Sequence, residues 1–226
     1  MTKRDDNQPA PAKASVLVVD DHPVIREGLA TLIGRQADMV VCAEADNPHD
    51  ALAAAAEHEP RLAVVDISLG GADGLDLVRD LKTRQPKMDI LVLSMHDETV
   101  YAERALRAGA SGYVMKEERL PVVVQALRSV LQGEVYLSEK MTARLVRRVA
   151  GRAEAALPVA ALSDRELQIL ALLGEGLGPT QIAERLHISP KTVETHRARV
   201  RDKLRLESAT ELRRYAIEWV RERGGC

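Results

Sequence analysis

The sequence predicts an α/β domain built on a doubly wound parallel sheet, followed by a small all-α domain. Three observations carry this expectation. Short aliphatic runs alternate with amphipathic stretches from Ser15 to about Gly133. Beyond about residue 160 the strand pattern stops and only helical spacing remains. The charge divides in the same way: residues 1–150 carry a net −4 and residues 151–226 a net +2, within a chain of 226 residues at −2. Domains typically run about 100–150 residues, so this length suits two.

The aliphatic runs are Val16–Val19, Met39–Ala43, Leu62–Val65, Ile90–Leu93 and Gly112–Met115. Each is short, bounded by polar or turn residues and mostly apolar on both faces, as strands buried between two helical layers must be. Between them, 24–36 places Ile25, Leu29, Leu32 and Ile33 at helical spacing behind a proline suited to a first turn, and similar patterns occupy 49–58, 75–85, 98–108 and 120–132. Five β-α units define a doubly wound, flavodoxin-like domain over 15–133. Residues 1–14 mix charge, Pro and Ala without periodicity and read as a disordered leader, and 134–160 as a partly helical linker. In 161–226 four helices fit. Ser163-Asp-Arg-Glu166 and Ser208-Ala-Thr-Glu211 match the capping box, Ser189-Pro190 offers an N-cap followed by Pro at the first helical position, and another helix begins near Gly178-Pro179.

Composition excludes several classes. Apolar residues make up 46% and charged residues 29%, which suits a folded, soluble chain. With no Phe, four Tyr and one Trp, an aromatic platform for stacking RNA bases is not expected. Cys42 and Cys226 are too few for a disulfide framework or a zinc finger. No run approaches the roughly 18 apolar residues of a membrane span, so no membrane association and a reducing cytoplasm are expected. Cys42, His49 and His58 lack any partner pattern and read as core, cap and surface residues.

Ligands of parallel α/β sheets bind at the carboxyl ends of the strands. Asp20 and Asp21 close the first strand and Asp66 the third. If those strands are neighbours, three carboxylates converge, an arrangement that suits Mg²⁺, which takes hard oxygen ligands together with water and phosphate oxygens. Ser94 and Lys116 stand at further strand ends of the same sheet and could hold a phosphoryl group. A single Asp or Lys after a strand is usually a cap or a solvated residue. Five such groups at matching strand ends point to phosphoryl transfer.

DDHPVIREGL, VVDISL, DGLDL, VLSMHD and RAGASGYVMKE resemble, in order and spacing, the receiver domain of two-component response regulators. LSDRELQILALLGEGLGPTQIAERLHISPKTVETHRARVRDKLRLESATEL resembles a LuxR-type helix-turn-helix domain. Together they are similar to the NarL/FixJ family over about 15–222. The resemblance implies that Asp66 accepts phosphate from a sensor histidine kinase. It implies that Asp20 and Asp21, with Asp66 and the backbone carbonyl of Ser68, bind Mg²⁺. Lys116 would pair with the phosphate, and Ser94 with Tyr113 would form the switch. Most family members carry Pro four residues after the acceptor, whereas this chain has Gly70-Gly71, which can adopt the needed turn and others as well.

The helix beginning at Pro190 sets Val193, His196, Val200 and Leu204 on one stripe, within about 80° of arc. The opposite side carries Lys191, Glu194, Thr195 and Ala198, flanked by Arg199 and Arg201. Residues 185–205 hold seven basic groups against two acidic ones. Small and polar residues admit a helix to the major groove, and flanking cations hold phosphates. In the resembling family the positions of Glu194, Thr195 and Ala198 face base edges, and the last helix, about 209–222, supports packing and dimerisation through Leu212, Tyr215, Ile217 and Trp219. The function implied is a transcription regulator, not an enzyme. It would be phosphorylated on Asp66, form a homodimer on activation, bind double-stranded promoter DNA and meet RNA polymerase. Two other readings fit parts of the chain: a pseudo-receiver governed by a partner or small ligand, and a phosphohydrolase, which leaves the C-terminal helices without a task.

Overall fold

The computed structural model describes residues 13–69, 72–151 and 157–223. The elements of the first half run β1 (Ala14–Val19), α1 (Pro23–Gly34), β2 (Met39–Ala45), α2 (Pro48–His58), β3 (Leu62–Val65), β4 (Ser68–Leu69), β5 (Ala72–Asp73), α3 (Gly74–Arg84), β6 (Asp89–Ser94), α4 (Glu98–Ala108), β7 (Gly112–Met115) and α5 (Leu120–Leu131). Five of the strands form one parallel sheet in the order β2-β1-β3-β6-β7. The doubly wound arrangement follows from the strand sequences. Because successive side chains point to opposite faces, Leu17, Val19, Ala63, Val65, Ile90 and Val92 enter a core with α2, α3 and α4. Val16, Val18, Leu62, Val64, Leu91 and Leu93 enter a second core with α1 and α5. A strand that must fill two cores has no room for alternation with polar residues.

Two elements have no counterpart in the sequence reading. β4 and β5 pair antiparallel, Ser68 opposite Asp73 and Leu69 opposite Ala72, with Gly70 and Gly71 between them outside the described residues. The leader expected over 1–14 lies outside them up to residue 12, and Ala14 already opens β1. Helix α2 is capped by Asn47, whose side chain accepts from the Asp50 N–H at 2.9 Å, and not by His49, which is exposed in the first turn. His58 is on the surface as read, and Cys42 is only half-buried, its thiol 3.4 Å from the Val16 carbonyl.

After α5 the chain returns to the sheet before it leaves the first half. Tyr136 accepts from the Tyr113 N–H at 2.9 Å and donates to the Ser111 carbonyl at 3.0 Å, so it lies along the outer edge of β7. Gly112 permits this approach, since a Cβ there would stand 2.9 Å from the Tyr136 carbonyl oxygen. Helix α6 (Glu139–Val149) then packs on α4 through Met141, and a 3₁₀ turn (Pro158–Ala161) leads into α7 (Asp164–Gly174), α8 (Pro179–Arg185), α9 (Pro190–Leu204) and α10 (Ala209–Arg223).

In this second half α7 is the central helix, burying Leu167, Ile169, Leu170, Leu172 and Leu173. Its capping box is present: the Ser163 hydroxyl accepts from the Glu166 N–H, and the Glu166 carboxylate accepts from the Ser163 N–H at 2.7 Å. The same carboxylate oxygen takes a bond from Lys203 Nζ at 2.7 Å and so ties α9 to the start of α7. At the start of α10 the Ser208 hydroxyl accepts from the Glu211 N–H, but the Glu211 carboxylate reaches back one residue further, to the Glu207 N–H. Leu212, Ala216 and Trp219 of α10 are buried, while Ile217 is 44% exposed.

Where α10 crosses α7, a Cβ on Gly174 would fall 2.4 Å from the Ala216 carbonyl oxygen and from Val220 Cγ2. Gly174→Ala should therefore separate the two helices at a cost of about 1–3 kcal/mol, as overpacking of a filled core does. Thermal melting of the variant checks this; an unchanged midpoint would mean that the crossing is loosely packed.

Candidate functional site

The parallel register brings the carboxylates together. Val19 lies opposite Val65, so Asp20 and Asp66 leave adjacent strands side by side, and the Asp66 N–H extends the ladder to the Val19 carbonyl at 2.9 Å. Both aspartates are buried. Lys116, at the end of β7, stands between them with Nζ 2.6 Å from Asp20 Oδ2 and 2.8 Å from Asp66 Oδ2. Asp21 is partly exposed beside them, with His22 Nδ1 at 2.7 Å from its carboxylate. Arg26 Nη1 donates to the Asp20 carbonyl at 2.7 Å and fixes the turn after β1. Gly74 packs against the loop after β3, where a Cβ would stand 2.2 Å from the Asp66 carbonyl oxygen.

Burial pushes the Asp66 carboxyl up to about 6; Lys116 opposes the rise and Asp20 adds to it. Burial pulls on Lys116 in the opposite sense, but Asp66 and Asp20 outweigh it and hold the ammonium above its ordinary value. Three carboxylates against one cation leave the cluster short of positive charge. Asp20, Asp21, His22 and Asp66 each offer a ligand atom, all within 4.8 Å of one another. Such a set, dominated by hard oxygen, fits a magnesium ion, which needs one or two carboxylates and keeps sites for water and phosphate.

Ser94 ends β6 fully buried, and its hydroxyl accepts from the His96 N–H at 3.1 Å. Tyr113 is buried too and donates to the His96 carbonyl at 2.5 Å; burial drives its phenol far above the ordinary range. His96 therefore joins Ser94 and Tyr113, a position the sequence reading left unassigned. Its Nε2 is 2.9 Å from the Ser68 hydroxyl, and its ring stacks on Tyr101 with centroids 4.6 Å apart. Burial, reinforced by Lys116, lowers its imidazole to about 4, so the ring is neutral at pH 7. The sequence signal was its place two residues after Ser94, opposite the residue two places after Asp66.

On α9, Val193 and Val200 are buried, with His196 and Leu204 partly so, and this is the stripe expected to face the core. Lys191, Glu194, Thr195 and Arg199 are exposed, and Ala198 and Arg201 are partly exposed. Arg197, which the sequence reading passed over, folds back onto the Glu194 carboxylate within the helix. Thr195 donates its hydroxyl to the Lys191 carbonyl at 2.9 Å. Ahead of the helix, His187 takes a left-handed φ of 51° in the turn from α8, and the Ser189 hydroxyl caps α9 by accepting from the Thr192 N–H at 3.1 Å. Two helices joined by so short a turn, the second presenting a polar face with basic flanks, have the geometry of a major-groove reader.

Comparison with known proteins gives the same division. The receiver-domain profile, "Response regulator receiver domain", matches residues 16–128, and "Bacterial regulatory proteins, luxR family" matches 160–216. The chain belongs to the NarL/FixJ family of response regulators. The oxygen regulatory protein NreC of Staphylococcus epidermidis is 35% identical over 210 residues, covering 90% of this chain and 96% of that protein. The DNA-binding transcriptional activator DevR/DosR of Mycobacterium tuberculosis is 36% identical over 208 residues, covering 92% and 96%. Among solved structures, a LuxR-family two-component response regulator from Aurantimonas sp. SI85-9A1 aligns with a TM-score of 0.57 at 32% identity, over 62% of this chain and 99% of that one. RcsB from Salmonella enterica serovar Typhimurium, bound to the promoter rprA with the phosphomimetic BeF3−, aligns with a TM-score of 0.65 at 23% identity over 91% and 99%, a likeness of fold. The regulator is thus a two-component response regulator with a LuxR-type DNA-binding domain. Among its described residues no helix is long and apolar enough to cross a membrane.

One acidic residue ties the two domains of the regulator together with two ion pairs. Asp164, at the start of α7, receives Arg79 Nη2 of α3 at 2.5 Å and Arg104 Nη1 of α4 at 2.6 Å. Arg104 Nη2 also donates to the Leu162 carbonyl at 2.8 Å and the Val159 carbonyl at 3.2 Å. Burial works against the Asp164 charge, but the two arginines outweigh it and hold the carboxyl below its usual range.

Replacing Lys116 tests the electrostatics of the carboxylate pocket. Lys116→Met leaves Asp20 and Asp66 buried without their cation, and removing one partner of a buried pair costs about 3–5 kcal/mol. Lys116 holds the Asp66 carboxyl down, so without it Asp66 takes up its proton at a pH above about 6, and the loss should shrink as the pH is lowered toward about 6 and level off below it. Urea titrations across pH without divalent metal measure it, and a deficit that does not vary with pH would contradict the charge balance described above.

Proposed function

We propose that the regulator is phosphorylated on Asp66 by a sensor histidine kinase in the cytoplasm, and that the modification controls a homodimer that binds promoter DNA and engages RNA polymerase. The observation that carries this reading is the position of Lys116, which already spans Asp20 and Asp66 at hydrogen-bond distance. An ionised Asp66 oxygen attacks the phosphorus of the kinase's phosphohistidine; the P–N bond breaks, the imidazole leaves and an acylphosphate forms. Mg²⁺, held by Asp20, Asp21, Asp66 and the Ser68 carbonyl, would neutralise charge on the transferring phosphoryl oxygens. Lys116 then exchanges the lost carboxylate charge for a phosphate oxygen. Ser94 follows as a hydroxyl donor to that phosphate, which disturbs the bonds joining it, His96 and Tyr113.

The state of the α9 face bears on how phosphate acts. Lys191, Glu194, Thr195 and Arg199 are exposed although Asp164 is clamped by Arg79 and Arg104. A receiver that leaves the reading face open has to restrain binding through domain position and assembly, and the exposed Ile217 on α10 supports dimerisation as the controlled step.

Incubation with a small phosphodonor and Mg²⁺ should add one phosphoryl group, seen by intact mass, that disappears in Asp66→Asn and on chelation. Equal labelling of Asp66→Asn would refute the assignment, and turnover without accumulation would indicate a phosphohydrolase. Asp21→Ala should weaken labelling at low Mg²⁺ and recover at high Mg²⁺. Ser94→Ala should label but fail to raise DNA affinity.

On DNA, Lys191→Ala, Arg199→Ala and Arg201→Ala should each weaken specific and non-specific binding together and lower the salt slope by about one per phosphate contact. Glu194→Ala and Thr195→Ala should change sequence preference by about 1–3 kcal/mol at a nearly constant slope, with Ala198 allowing close approach of the backbone. Titrations on an inverted-repeat site and on scrambled DNA at several salt concentrations distinguish the two groups; equal effects on both DNAs would show that α9 does not read sequence.

A further inference from the structure

A cavity of about 490 Å³ lies where α4, α6, the 3₁₀ turn and the start of α7 meet, on the far side of α4 from the sheet. It falls within the size range of small-molecule sites, about 300–1,000 Å³. Its floor is apolar, made by Val100, Met141, Leu145 and Leu157. Among the described residues its walls carry five guanidinium groups, those of Arg79, Arg104, Arg107, Arg144 and Arg148, against two carboxylates, Glu103 and Asp164.

The ion pairs do not balance this charge. Asp164 is divided between Arg79 and Arg104, and Glu103 is divided between Arg107 and Arg148. Arg79 also pairs with Asp76 and Arg104 also donates to the Val159 and Leu162 carbonyls, so the shortfall lies at Glu103, where one carboxylate faces two guanidinium groups and leaves Arg107 and Arg148 with donors that it cannot fill. Among the described residues Arg144 reaches only a long bond, 3.4 Å, to the Thr99 carbonyl. Concentrating like charges around a partly enclosed space is unfavourable without a counter-anion. Planar guanidinium groups are also the side chains best suited to phosphate and carboxylate, and they stack on flat rings.

We infer that this cavity binds a small organic anion with at least two negative charges and an apolar body, the chemical class of the nucleoside phosphates. The charged end would meet Arg144 and Arg148 of α6 with Arg107 of α4, and the apolar body would cover Val100, Met141 and Leu145. The site is separate from the Asp66 pocket and from the α9 face, so it adds a second input to the regulator. Because its walls come from both domains, a bound anion would act on the same junction that Asp164 holds.

Calorimetric titration of the full chain without Mg²⁺, using AMP, ATP, adenosine and inorganic phosphate in turn, tests this. ATP and AMP should bind with Kd below about 1 mM, while adenosine and inorganic phosphate should each be at least about tenfold weaker. The double variant Arg144→Gln/Arg148→Gln should lose at least about tenfold in ATP affinity, and ATP should raise the melting temperature of the parent chain but not of the variant. Arg147→Gln, an exposed arginine of α6 outside the cavity, should bind as the parent does. Asp66→Asn should also bind normally, so that failure here is distinct from failure of the phosphorylation reading. Absence of saturable binding, inorganic phosphate binding as well as ATP, an equal loss in Arg147→Gln, or a loss in Lys191→Ala/Arg199→Ala, which would move the anion to the DNA face, would each overturn the assignment.

Discussion

The bridge from Lys116 to Asp20 and Asp66 is the constraint on which the rest of the receiver depends. Two carboxylates buried side by side at the ends of neighbouring strands repel one another, and the sheet holds them there only because an ammonium from a third strand stands between them. That requirement fixes the order of the sheet. β1 and β3 must be adjacent to bring the aspartates together, and β7 must lie on the same side as β6 for Lys116 to reach across. The buried aliphatic strands make the arrangement rigid enough to store this electrostatic tension. The pocket is short of positive charge, and burial pushes its Asp66 carboxyl up to about 6, so its donor set suits a divalent cation.

Around that pocket the structure sets one layer of hydrogen-bonded and stacked groups. His96 is bonded through its backbone to both Ser94 and Tyr113, and through its ring to Ser68 and Tyr101. Its neutral imidazole can bond a hydroxyl without adding another charge beside Lys116. Tyr101 belongs to α4, as does Arg104, one turn further on, which grips the start of α7. A short physical path therefore joins the loop after β3 to the domain junction through one helix.

Much of this was legible in the sequence. The five strands and their helices announced themselves because a strand between two helical layers has to be aliphatic throughout, and Pro, Ser and Gly punctuate the helices at capping positions. Asp20, Asp21, Asp66, Ser94 and Lys116 stood out for ending those strands, and the α9 stripe followed from its 3.6-residue period. The β4–β5 hairpin did not show, since two-residue strands have no periodicity to detect. Asp164 was hidden in plain view: within the capping sequence it reads as a helix-start residue, and nothing local reveals that arginines from α3 and α4 converge on it. His96 was missed for a related reason, as its partners are set by tertiary contact, whereas the Arg197–Glu194 pair is an i,i+3 spacing on α9 that the sequence does contain.

The return of the chain along β7 has a further consequence. An unpaired outer strand is a template for adding a strand from another molecule, and proteins commonly blunt or cover such edges. Here Tyr136 occupies the hydrogen-bonding groups of Ser111 and Tyr113 on that edge. A strand from a second copy cannot start its ladder at the beginning of β7 without displacing Tyr136, whereas contacts between helix surfaces can be made and undone without unzipping a backbone ladder.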